Sequence, residues 1–326
     1  MKTRKFKSFI FLSALSLFLG LQVVQGQTLR EAVEAYNTGL ELAETDIKAA
    51  IASFEESAQI ARLLGEEGEE VREQAEIQIP GLHYELAMEY YRDRNIPDAV
   101  KGFEETIEVA KKYNDSGTLR RSENVLHQLY AIKGNSLFRE DKNEEALEMF
   151  GKALEINPQH ARSYLGKGLV YRRLEDVEKF REAMDMAIEN ALITEEEQIM
   201  QTAESTARDF FLVRAVRAKQ ENNLQRAIDL ISSSLTYDET FPETHFLLAT
   251  IYNEQSRYQD AVDSAQRAID LFNGNKEETA KIYFELGRAY EGLGDTARAC
   301  AAYNDAAYGN YEASAKYQME HILKCP

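Results

Sequence analysis

One local arrangement recurs seven times along the chain, and its spacing limits the fold more than any other feature. Ala50, Ala99, Ala146, Phe180, Ala227, Ala261 and Ala299 open similar stretches, at intervals of 49, 47, 34, 47, 34 and 38 residues. Two intervals equal 34 and the others exceed it by 15, 13, 13 and 4, which defines a 34-residue unit with inserted residues between some copies. Four places after each opening residue stand Phe54, Phe103, Phe150, Met184, Ile231, Ala265 and Tyr303, and twelve places before it stand Thr38, Ala87, Gly134, Gly168, Ala215, Ala249 and Gly287. A small residue lets two helices approach closely, and a bulky residue one turn on fills the gap beyond it. Each unit therefore reads as helix, short turn, helix. A single hairpin cannot bury both faces, so neighbouring units must stack. Turn signals lie where this scheme needs them, at Asp46, RNIPD (94–98), EDKNEE (140–145), LED (174–176), ENN (221–223), QSR (255–257) and GLGD (292–295). Asp46, Asn143, Asp176 and Asp295 are the expected helix N-caps.

The segment YAIKGNSLFREDKNEEALEMFGKALEINP (130–158) resembles a tetratricopeptide repeat, with Tyr130, Gly134, Leu137, Ala146, Phe150, Ala153 and Pro158 in the places that family favours. YFELGRAYEGLGDTARACAAYNDA (283–306) is similar through Tyr283, Leu286, Gly287, Tyr290, Ala299, Tyr303 and Ala306. The units are 31–64, 80–113, 127–160, 161–194, 208–241, 242–275 and 280–313, and the chain beyond 26 is expected to form one solenoid over 27–326. Phe180 stands where a small residue belongs, so looser packing is expected in the fourth unit. The inserts at 65–79, 114–126 and 195–207 are rich in helix formers and read as lengthened helices, with GEEGEE (65–70) a candidate break. The resemblance implies an all-α fold, a right-handed superhelix of about seven helix-turn-helix repeats, closed by a capping helix over 311–324. It also implies an inner groove lined by the first helix of each unit, which binds proteins or extended peptides.

The chain opens with four basic residues among the first seven, an apolar run from Phe9 to Leu19, and small residues before Gln27. This reads as a secretory signal peptide over 1–26, which places the protein in the periplasm or outside the cell; the alternative is a membrane anchor, for which the run is short. Cleavage there removes four basic and no acidic residues, so the net charge goes from −18 to −22. A chain that acidic repels nucleic acid and anionic lipid as a whole. Cys300 and Cys325, the two cysteines of the chain, read as a disulfide in an exported protein, with a redox-active pair as the alternative. If residues 311–324 run back along the preceding helix, Cys325 passes the level of Cys300, so bonding needs a slanted crossing or a shorter last helix.

Signals of chemistry are few. His83 and His245 occupy the slot that Tyr130, Tyr164 and Tyr283 fill elsewhere, so they read as core aromatics. No metal-ligand spacing, phosphate loop or nucleophile elbow appears, and no cofactor or enzymatic activity is expected. Family geometry points Tyr84, Met88, Tyr91 and Arg92 inward in the second unit, Asn135, Phe138 and Arg139 in the third, and Arg162, Leu165, Leu169, Arg172 and Arg173 in the fourth. Guanidinium forks suit carboxylates and aromatics suit extended apolar side chains. The partner implied is a protein or peptide, acidic or ending in a carboxylate. The competing reading is that these arginines pair with the chain's own acids. Two roles stay open: an adaptor in the cell envelope that uses the groove, or a structural subunit of an envelope or secretion assembly that uses the convex face or the solenoid ends.

Overall fold

The computed structural model describes residues 28–326. The signal-peptide reading of residues 1–26 lies outside the described residues. Among these, fifteen α-helices and no strands are present. Fourteen helices form seven consecutive pairs: α1 (Leu29–Leu42) with α2 (Ile47–Leu63), α3 (Glu69–Arg92) with α4 (Ile96–Lys112), α5 (Ser116–Arg139) with α6 (Asn143–Ile156), α7 (Ala161–Arg173) with α8 (Val177–Ile193), α9 (Glu197–Gln220) with α10 (Leu224–Leu235), α11 (Pro242–Glu254) with α12 (Tyr258–Leu271), and α13 (Lys276–Gly292) with α14 (Thr296–Ala306). The chain divides within α5 into two compact units, each larger than a repeat: a first unit ending at Leu126 and a second unit running from His127 to the C-terminus. The inserts are lengthened helices, since α3, α5 and α9 each run for 24 residues, and a 3-10 turn at Gly65–Gly68 precedes α3.

The slots behave as helix geometry dictates. In the second unit the Phe150 ring of α6 is fully buried between Gly134 of α5 and Gly166 of α7, where a Cβ on either glycine would collide with it. Met184 and Tyr303 fill the equivalent space against Gly168 and Gly287. In the first unit, Phe103 is fully buried and Phe54 nearly so.

The turns repeat too. Arg94, Asp141, Glu175, Asn222, Ser256 and Gly294 each stand five residues before the small slot with φ of 59°, 60°, 58°, 57°, 57° and 75°. A left-handed residue reverses the chain sharply, and a side chain other than glycine adopts it at a cost of about 1–2 kcal/mol, which the packing of the following helix offsets. The first pair lacks such a residue and closes through Thr45 and Asp46 amides on the Leu42 carbonyl instead. Its register shifts by one as a result. Gly39, not Thr38, is buried against Phe54, and Thr38 is exposed.

Three further expectations need correction. Asp46, Asp176 and Asp295 cap α2, α8 and α14, but α6 starts after Lys142 without a side-chain cap, because Asn143 is one residue past the cap slot. Asn95 and Asn223 occupy that slot and do cap their helices. The fourth pair is not loose. Phe180 is fully buried and packs on Phe210 at 4.0 Å and Phe211 at 6.1 Å between ring centroids, and the lengthened part of α9 makes room with Ala203 and Ala207. Nor is 311–324 one regular helix. A 3-10 turn at Gly309–Tyr311, α15 (Glu312–Tyr317) and a π-helical turn at Gln318–Leu323 follow each other. Lys324 then turns left-handed (φ 54°), and the Cys325 amide donates to the Met319 carbonyl at 2.8 Å. This short last helix brings Cys325 beside Cys300, with Cα atoms 5.8 Å apart, within ordinary disulfide reach.

Candidate functional site

The twelve side chains expected to line the groove lie on the first helices α3, α5 and α7, and none is buried. In the first unit, Tyr84 of α3 meets Phe103 edge-on at 5.6 Å, and the Arg121 guanidinium lies 4.7 Å from its ring centroid. Tyr84 therefore works partly as a wall of the core. Met88 is half-buried, and Tyr91 and Arg92 are exposed at the end of α3.

In the second unit, Phe138 of α5 carries the Arg173 guanidinium of α7 at 3.7 Å from its centroid. Arg173 Nη1 also donates to the Phe138 carbonyl at 2.6 Å and to Asn143 Oδ1 at 3.4 Å, and it pairs with Asp141 Oδ1 at 2.8 Å. Arg162 Nε donates to Glu196 Oε2 at 3.0 Å. For these two arginines the chain's own acids are the partners. Arg139 and Arg172 are exposed and make no ion pair among the described residues. Leu165 and Leu169 rest half-buried against the Phe180 and Met184 cluster, and Asn135 is half-buried beside Phe138's helical turn.

Residues outside the sequence reading enlarge this face. Arg172 and Glu175 border a cleft of about 270 Å³ whose other wall is α9, with Val213, Arg214 and Arg217. Val213 is 61% exposed, and the Arg214 guanidinium lies 4.4 Å from the Phe210 centroid. Three arginines thus meet two carboxylates there, Glu175 and Asp209, around an apolar floor. A local excess of positive charge beside exposed apolar surface can hold an extended chain with a carboxylate. These α9 positions lie inside the fifth repeat (208–241), for which the sequence reading named no inward-facing residues.

The histidines behave differently from one another. His83 is half-buried, with Nε2 lacking a partner and burial depressing its basicity, and His245 Nε2 contacts the Glu239 carbonyl at 2.8 Å. His127 and His160 form a buried edge-to-face pair, 4.8 Å between centroids, and His160 Nδ1 contacts Ser163 Oγ at 2.8 Å. Their 33-residue separation, one repeat less a residue, was the available signal for this pair. Among the described residues no group of three His, Cys, Asp or Glu side chains is placed to hold a metal, and no helix is long and apolar enough to cross a membrane.

Comparison with known proteins adds family evidence. Two Tetratricopeptide repeat family models match residues 133–191 and 240–307, both in the second unit. A TPR repeat-containing protein of Methanocaldococcus jannaschii is 28% identical over 149 residues, which is 43% of this chain and 24% of that protein. The chain thus spans about a quarter of that curated relative. Among solved structures, a tetratricopeptide repeat protein from Parabacteroides merdae is 12% identical, with 91% of this chain and all of that chain covered and a TM-score of 0.31. YrrB, described as a TPR protein with an unusual peptide-binding site, is 20% identical over 60% of this chain and 88% of its own, with a TM-score of 0.31.

Proposed function

The chain belongs to the tetratricopeptide-repeat family, and from that premise we propose that it is a non-enzymatic scaffold of the cell envelope that holds a protein or extended peptide along the concave face of its first helices. Proteins of this family are generally non-catalytic interaction scaffolds, which supports the first half of the reading. The observation that carries the second half is the exposed pair Arg139 and Arg172, neither in an ion pair among the described residues, beside the Phe138–Arg173 stack on α5 and α7. In a chain of net charge −18, a local cationic and aromatic face is where an acidic or carboxylate-terminated segment gains both attraction and steering.

The double substitution Arg139→Glu/Arg172→Glu tests this. Neither side chain is buried or ion-paired, so the melt should stay within about 0.5 kcal/mol of wild type. Capture of partners from an envelope extract should fall about tenfold or more, and more steeply at low salt. Unchanged capture would remove this face from the reading. A structural-subunit role is favoured instead by Leu192 and Ile193, 68% and 55% exposed at the end of α8; there Leu192→Glu/Ile193→Glu would abolish assembly while the arginine variant would not.

Export of the chain, with residues 1–26 removed, is part of the same proposal. It is supported by the basic and apolar start and by the juxtaposition of Cys300 and Cys325, which suits an oxidising compartment. Fractionation should find a protein beginning near Gln27 outside the cytoplasm, with no free thiol when denatured without reductant. A product beginning at Met1, or two titratable thiols, would contradict it.

A further inference from the structure

A second polar cleft, of about 320 Å³, lies in the second unit between α11, α12, α13, α14 and the π-helical turn, and its chemistry is opposite in sign to the arginine face. At its base is Asn253, 6% exposed. Asn253 Nδ2 donates to the Glu285 carbonyl at 2.9 Å and to Glu285 Oε2 at 2.8 Å, which fixes the amide's orientation. Its Oδ1 is then buried with no partner among the described residues, as is Gln318 Oε1 on the π-helical turn. The cation lining the cleft is already committed, because Arg288 Nη1 donates to both oxygens of Glu285 at 3.1 and 2.9 Å. The Glu291 carboxylate accepts from the fully buried Tyr303 hydroxyl through Oε2 at 2.7 Å and has no cationic partner among the described residues. Burial, followed by the hydrogen bond to Glu291, raises the Tyr303 phenol above its ordinary range, so it stays a donor to that carboxylate.

The tally of groups is one-sided. Glu285, Arg288 and Glu291 leave a net charge of −1, and the oxygens of Asn253, Gln318 and Glu291 leave acceptor capacity without a matching donor. Tyr258, Phe284 and Tyr303 supply aromatic walls. Buried acceptors call for N–H donors, a single negative charge calls for one positive charge, and ring faces attract organic cations. A primary ammonium on an alkyl stem has three donors, one charge and an apolar stalk. We propose that this cleft is a binding site for an alkyl ammonium group, either that of a free amine or that of a lysine side chain presented by another protein.

The test titrates the full chain with Nα-acetyl-lysine methylamide, its Nε-acetylated form and n-butylammonium, followed by ligand-observed NMR. The proposal expects saturable binding of the two cations and none of the Nε-acetylated probe. Glu291→Gln keeps an acceptor for Tyr303 but loses the charge, so it should weaken binding about tenfold or more, whereas Glu312→Gln, an exposed acid outside the cleft, should not. Gln318→Met, which removes one of the two unpartnered buried amide oxygens at similar size, should weaken it as well and serves if Glu291→Gln fails to fold. Tighter binding of the lysine probe than of n-butylammonium assigns the site to a protein partner, and equal binding assigns it to free amines. No binding at millimolar probe, equal binding of the acetylated form, or equal loss from Glu291→Gln and Glu312→Gln would overturn the proposal.

Discussion

Phe150→Ala will destabilise the second unit by about 3–5 kcal/mol, the cost of removing a large aromatic from a site whose collapse is restricted. Collapse is restricted because Phe150 fills the space between two glycines on different helices, Gly134 and Gly166, neither of which has a side chain to take up the void. Chemical denaturation, monitored for the transition of the unit that begins at His127, measures the loss. Because stacked repeats share interfaces, the transition should also lose cooperativity, with α5 to α7 opening first. A loss below about 1 kcal/mol would mean that the glycine slots do not hold the pairs together.

The second large effect is a dependence on pH through His160. Burial, and next the neighbouring charge of His127, depress its pKa to about 4, with Glu196 opposing and Arg162 adding to the shift. An imidazole in the unfolded chain titrates near 6.5, so the folded value is the lower one. The unfolded state then binds the extra proton first. The stability from keeping His160 neutral is fully present above about pH 6.5 and is lost as pH falls toward 4, a total of about 3 kcal/mol for a shift of this size. His160→Gln, which can still reach Ser163, should lower stability little at pH 7.5 and flatten the decline between pH 6.5 and 4. Parallel declines in the two proteins would assign the acid sensitivity to carboxylates instead.

Much of the fold was legible because helix pairs write their contacts locally. The small and large slots recur at fixed offsets, and the turn that joins each pair is only three or four residues long. What escaped depended on geometry that residue types do not carry. The one-residue shift to Gly39 follows from a turn without a left-handed residue, and Thr38 and Gly39 are both compatible with a small slot. The fit of Phe180 required alanines 23 and 27 residues further on, in what counted as an insert. The π-helical turn that sets Cys325 beside Cys300 has no signature in the run from Gln318 to Leu323. At the candidate face, the residue types were readable but the pairings were not. Arg162 finds Glu196 one 34-residue period away, and Arg173 finds Asp141 in the preceding turn. The unpaired members, Arg139 and Arg172, emerge only once the others have been matched.

The reading of that face is tested most directly by hydrogen–deuterium exchange of the protein with and without a partner captured from the envelope. Exposed first-helix amides near Phe138, Arg139 and Arg172 should gain protection on binding, together with those of α9 around Val213 and Arg214. Protection confined to the end of α8 around Leu192 and Ile193, with α5, α7 and α9 unchanged, would contradict the account.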